Sequence, residues 1–146
     1  MKLKNLLIFL IILTVLINIS CIYATDHNTE ILGENNEINI YVDANTGEDS
    51  NTGDSWETPV KSIGKAIDLT DNNKTTNIYL GNGTYKGENN IELKIENKNT
   101  VNIIGSDSTI IHGENLKQIL TLSNIRNITL KNIQFVNATI WCCNNN

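Results

Sequence analysis

Residues 41–56, YVDANTGEDSNTGDSW, set Asp43, Asn45, Asp49, Asn51 and Asp54 around Gly47 and Gly53. Carboxylate and amide oxygens at this density suit a hard cation, because calcium takes about six to eight oxygen ligands. The calcium reading makes these five residues the ligand set. An EF-hand does not fit, however. Counting from Asp43, the sixth position is Glu48 where a glycine must turn the chain, and the twelfth is Asp54 where a bidentate glutamate is usual. Counting from Asp49, the twelfth position is Val60. The same residue types also make self-bonded turns with no metal. Turn chemistry is the reading we favour, with calcium as the alternative and no other cofactor implied.

Other reactive side chains are few. Cys142 and Cys143 are adjacent, a spacing that bridges only with strain, and no C-x-x-C pair is present. Past Ala24, N-x-[ST] sequons begin at Asn73, Asn82, Asn127 and Asn137. In a chain this rich in Asn and Thr such matches arise by chance, so they permit glycosylation without arguing for it.

These residues sit in a chain with a distinct front end. Lys2 and Lys4 precede an apolar run from Leu6 to Ile17, and a mixed stretch ends at Ala24. That is the plan of a signal peptide over residues 1–24, since the run is shorter than the ~20 residues of a membrane span. A retained anchor is the alternative. Asn18-Ile19-Ser20 before Cys21 makes a poor lipoprotein box. Past Ala24, nine basic residues stand against sixteen acidic ones, so the net charge moves from -5 to -7. Nucleic acid and anionic membrane surfaces need basic patches and are excluded as partners. An acidic, polar exterior suits a secreted or cell-surface protein.

Residues 25–37 read as a polar leader. INIYVD then alternates apolar and polar positions, a strand pattern. After the acidic loop, Thr58 is placed to cap a helix and Pro59 suits its first turn. Val60, Ile63, Ala66 and Ile67 give that helix one apolar stripe. From residue 77 to 141 only short runs of Ile, Leu, Val and Thr appear, broken by Gly and Asn. They repeat. At a shift of 27, Leu93, Ile95, Asn97, Val101 and Ile103 fall on Leu120, Leu122, Asn124, Ile128 and Leu130. At 26, Tyr85 and Gly87 fall on Ile111 and Gly113. At 23, Ile78 and Leu80 resemble Val101 and Ile103.

A period in the twenties, with about three short strands per unit, fits one turn of a parallel β-helix and is too short for a propeller blade. The apolar positions would stack from coil to coil, and Asn97 above Asn124 would form an amide ladder at a corner. Asn tolerates the left-handed backbone that corners need. The expected fold is all-β, a right-handed parallel β-helix of about three coils. Residues 38–76 supply its first strand, loop and capping helix. That helix would cover the first coil's open edge. Residues 142–146 form a tail, and the small number of coils predicts a truncated chain.

The stretch IYVDANTGEDSNTGDSWETPVKSIGKAID resembles the opening segment of pectate-lyase-like parallel β-helix proteins. The resemblance rests on Gly47-Glu48-Asp49, Gly53, Trp56, Pro59, Ile63, Ala66 and Ile67, and on Gly81, Gly83 and Tyr85 in NIYLGNGTY. With the signal segment and NITLKNIQFVNAT, the chain is most similar to adhesin-like surface proteins of methane-producing archaea. The resemblance implies a fold and a surface location; the fold itself hosts many functions. Lyases on this fold use a basic residue with calcium, and hydrolases use clustered aspartates. Here the coils offer Arg126, His112, Lys94, Lys131, Glu92 and Asp107, with no Asp–Asp pair. The expectation is a non-catalytic display or binding module for a cell-surface glycan or protein. A fragment of a polysaccharide lyase or hydrolase is the alternative.

Overall fold

A computed structural model describes residues 36–115 and 117–142. The expected signal peptide, the leader as far as residue 35 and Cys143 lie outside the described residues. In chain order the elements are β1 (Glu37–Val42), α1 (Ile63–Asp68), β2 (Thr75–Leu80), β3 (Gly83–Tyr85), a 3₁₀ turn (Glu88–Asn90), β4 (Leu93–Gly105), β5 (Thr109–His112), β6 (Gln118–Lys131), β7 (Gln134–Val136) and β8 (Thr139–Cys142). All strand pairings are parallel. One sheet runs β1-β2-β4-β6-β8 and the other β3-β5-β7. The chain is an all-β parallel β-helix.

Asparagine makes the corners. β4 and β6 are 13 and 14 residues long, and each bends at one Asn, Asn97 (φ 55°) and Asn124 (φ 49°). Each strand therefore covers two sides of the coil. Among the described residues, five of the seven non-glycine residues with positive φ are asparagines, as the cost of left-handed backbone for other side chains requires. The Asn124 amide donates to Asn97 Oδ1 (2.7 Å), so the ladder expected at this corner is formed.

Register follows the repeats with one correction. At the shift of 27, Leu93 pairs with Leu120, Ile95 with Leu122, Val101 with Ile128 and Ile103 with Leu130. At 26, Tyr85 pairs with Ile111. The shift of 23 is wrong: Ile78 pairs with Ile103 and Leu80 with Gly105, a shift of 25. Sliding a strand by two residues leaves every side chain on its own face, so apolar alternation cannot separate 23 from 25. The polar positions do. At 25 the Asn102 amide reaches Asn77 Oδ1 at 2.8 Å. Gly105, over Leu80, also falls where an added Cβ would strike Asn132 O.

The helix begins later than its apolar stripe suggests. Ser62, not Thr58, is the cap, and its Oγ accepts from the Lys65 N–H. Val60 instead forms a parallel bridge to Val42. The reason is β1's open edge, whose backbone groups need partners. The Tyr41 N–H donates to Gly53 O (2.8 Å), the Val60 N–H to Tyr41 O (3.0 Å), and the Asp43 N–H to Val60 O (2.9 Å). The edge is thus covered by the acidic loop rather than by the helix. Helix α1 stands under the first arm of β4, where its coil has no strand. Its Gly64 lies against Asn89 O and Leu93 Cδ2, and the Ile63 N–H donates to Asn90 Oδ1 (2.9 Å). Ile63, Ala66 and Ile67 are buried there, and Val60 joins the same core.

Core rows run along the axis, such as Ile40–Ile78–Ile103–Leu130. The first three are buried and Leu130 is half-buried. Tyr85 plugs the corner after β3. Its hydroxyl is shared between Val42 O (3.0 Å) and Gly81 O (3.1 Å). Burial, then the nearby Asp43 charge, push this phenol above its ordinary pKa. Thr76 is also fully buried, in the row Ile38–Thr76–Val101–Ile128, and its Oγ1 has no hydrogen-bond partner among the described residues.

Two substitutions test this packing by urea denaturation. Ile103→Ala should cost about 3 kcal/mol and Leu130→Ala about half that, because only Ile103 is packed on both sides. Equal losses would contradict the burial gradient. Thr76→Val should leave stability unchanged or raise it by up to about 1 kcal/mol, since it removes a buried hydroxyl that bonds to nothing. A loss above that size would mean the hydroxyl has a partner.

Candidate functional site

The five candidate calcium ligands lie along one loop, and each is engaged by the protein itself. Asp43 Oδ1 accepts from the Asn45 and Thr46 N–H groups (2.8 and 3.0 Å), a self-bonded turn. The Asn45 amide donates to Asn82 O (2.9 Å), tying this turn to the next coil. Asp49 Oδ1 accepts from the Lys61 and Ser62 N–H groups (2.9 and 2.8 Å), and Oδ2 from Ser62 Oγ (2.8 Å). It therefore fixes the residues that start α1, through the stronger hydrogen bonds an ionised acceptor makes. The Asn51 amide donates to Pro59 O (2.8 Å). Asp54 sits at the exposed tip, where Thr58 Oγ1 donates to it (2.7 Å). That hydroxyl, and next the one of Thr52, hold its carboxyl below the usual carboxylate range.

These side chains point to different places: the start of the next coil, the helix start and the loop tip. Among the described residues, no group of three or more His, Cys, Asp or Glu side chains is placed to hold a metal ion. The loop's oxygens hold the folded-back segment 53–60 against β1 and deliver the chain to α1.

The candidate catalytic groups are dispersed as well. Lys94 lies on the first arm of β4 beside Thr121, and Lys131 on the second arm of β6 beside Ile104. Glu92 faces Lys117 at 3.8 Å, both well exposed. His112 Nδ1 accepts from the Glu114 N–H (3.2 Å). Arg126 is an exposed corner residue, and Asp107 is exposed in the turn before β5. A cleft of about 420 Å³ lies between α1 and the 3₁₀ turn. It mixes Asp49, Asp68, Glu88 and Glu92 with Lys65 and Lys94, and its Asp49 is already bound to Ser62.

A different feature stands out on the outer side of β1, β2 and β4. Asn39, Asn77 and Asn102 occupy one register row. The Asn77 amide donates to Asn39 Oδ1 (3.0 Å) and the Asn102 amide to Asn77 Oδ1 (2.8 Å), a second amide ladder. Two residues along, Tyr41 stacks on Tyr79 with ring centroids 5.4 Å apart and planes at 21°. Trp56, from the folded-back loop, meets Tyr41 edge-on at 4.9 Å and remains 49% exposed. Sequence reasoning missed this face. Its signal was present: Asn-Ile-Tyr occurs at 39–41 and again at 77–79, and Asn-Ile-Ile at 102–104.

A family model described as "Protein of unknown function (DUF1565)" matches residues 45–144 of the chain. No curated protein matches it.

The loop's role gives a direct expectation. Asp49→Ala should lower stability by about 2 kcal/mol, because three donors at the helix start lose a charged acceptor. Millimolar calcium should leave the Tm of the unaltered chain in place. A calcium-dependent rise in Tm that Asp43→Ala abolishes would restore the metal reading.

Proposed function

We propose that this chain, which belongs to the DUF1565 family, is an exported cell-surface protein whose β-helix is a stiff, non-catalytic display or binding module. The observation that carries this reading is the run of parallel strands β1, β2 and the second arms of β4 and β6. Their outward side chains follow one another from coil to coil in one register, which makes a continuous surface. Such a surface suits holding or presenting an extended partner. The ionisable side chains that cleavage chemistry would need are instead spread over different sides and corners of the coil. The N-terminal pattern of two lysines and an apolar run supports export. The acidic, Asn-rich exterior and the similarity to adhesin-like surface proteins support a place outside the cell.

Two measurements test the reading. The full-length gene product, expressed in a secreting host, should be recovered at the surface or in the medium with its N-terminus at Thr25. Recovery inside the cell with Met1 intact would sink the export claim. Incubation with uronic-acid polymers, with and without calcium, should yield no new unsaturated ends. Reproducible turnover by this chain would place it among the polysaccharide-cleaving enzymes instead.

A further inference from the structure

The outer face of β1, β2 and β4 is more specific than a continuous surface. We infer that it is a binding strip for an extended, uncharged polysaccharide, an inference that rests on the binding-module reading above and gives it a site and a ligand class.

Charge points to such a ligand. The chain carries a net -5, yet the outward rows across β1, β2 and the second arms of β4 and β6 hold charge only at their ends, at Glu37 and Lys131. Between them lie amides, threonines, tyrosines and Ile104. A uronic-acid polymer would find one lysine there, and a basic partner one glutamate. A neutral partner finds a surface with little charge to desolvate.

Hydrogen-bond stoichiometry points the same way. A side-chain amide has two N–H donors and an oxygen with two acceptor positions. Within the ladder, Asn77 uses one donor toward Asn39 and one acceptor position toward Asn102. One donor and one acceptor position remain, held in fixed orientation by the rungs on either side. A hydroxyl is both donor and acceptor, so a row of such amides complements a row of sugar hydroxyls. The ladder also pre-orders the amides, which lowers the entropy lost on binding.

An aromatic edge flanks the amide row. Tyr41, Tyr79 and Trp56 buttress one another beside the amide row. The phenol oxygens of Tyr41 and Tyr79 make no hydrogen bond among the described residues. Half of Trp56 is left to solvent. Aromatic rings with an apolar body and a polar rim pack against the C–H face of a pyranose while bonding its hydroxyls. A strand spacing of ~4.8 Å makes the face from β1 to β6 roughly 14 Å across, the scale of a short oligosaccharide.

The test is affinity electrophoresis of the full chain in gels containing hydroxyethylcellulose, glucomannan or polygalacturonate. The neutral polymers should retard the protein and polygalacturonate should not. Trp56→Ala and Tyr79→Ala should each weaken retardation about tenfold, roughly 1.4 kcal/mol. Lys86→Ala, an exposed residue just past β3, should leave retardation intact. Thermal melts of each variant separate lost binding from lost folding, and Asn77→Ser, which shortens one rung, should weaken retardation while still folding. Three results would overturn the inference: no retardation by either neutral polymer, retardation by polygalacturonate alone, or folded variants that bind like the parent chain. None of these would disturb the surface-module reading, which fails only on location or turnover.

Discussion

A strand in a parallel solenoid satisfies its N–H and C=O groups on the coil before it and the coil after it, so the first strand has one side with no neighbour. Here the chain meets that demand by folding a loop back along β1, so that Gly53 and Val60 bond to Tyr41 and Asp43. Much else follows from this one arrangement. The loop must turn sharply, which needs Gly47, whose missing Cβ makes room for Val60 O and Asp43 O. It must be held in place, which engages Asp43, Asn51 and Asp54. It must then release the chain into α1, which engages Asp49. Trp56 is carried into contact with Tyr41 by the same fold-back.

The acidic loop therefore answers a backbone demand with its own side chains. Its density of oxygens comes from the number of donors that a reversing chain exposes. A calcium loop and a reversing loop draw on the same residue types because both must satisfy many charges or dipoles in a small volume. What separates them is convergence on one point, and in this loop the carboxylates diverge.

Legibility in the sequence tracked how far each feature depends on period alone. The 27-residue match ran without a gap through both arms of β4 and β6, so the rows Leu93–Leu120 and Ile103–Leu130 could be read directly. The corner at Asn97 and Asn124 could be read too, because few residues other than Asn and Gly accept that backbone. The offset between β2 and β4 could not, since sliding by two preserves alternation and the deciding contact is Asn77 with Asn102. The helix start was misplaced because Val60 fits an apolar stripe and a strand edge equally well, and only the unpaired edge of β1 decides between them. The aromatic and amide face was overlooked because the two Asn-Ile-Tyr segments are separated by the loop and helix, outside the regular period.

Helix α1 standing where a strand would otherwise lie has a mechanical consequence. Hydrogen bonds between coils run along the axis, so under axial tension the coils act as links in series and the weakest link yields. Between β4 and β6 ten residues are paired across both arms. Between β2 and β4 only six are, because the first arm of β4 rests on the helix and not on a strand. The joint beside α1 is thus softer than the one that follows it, and there segment 70–73 is fastened by Lys98 and Asn99 through a few side-chain bonds. The paired arms of β4 and β6 would stay joined while it opened, as a shackle releases before the chain it holds.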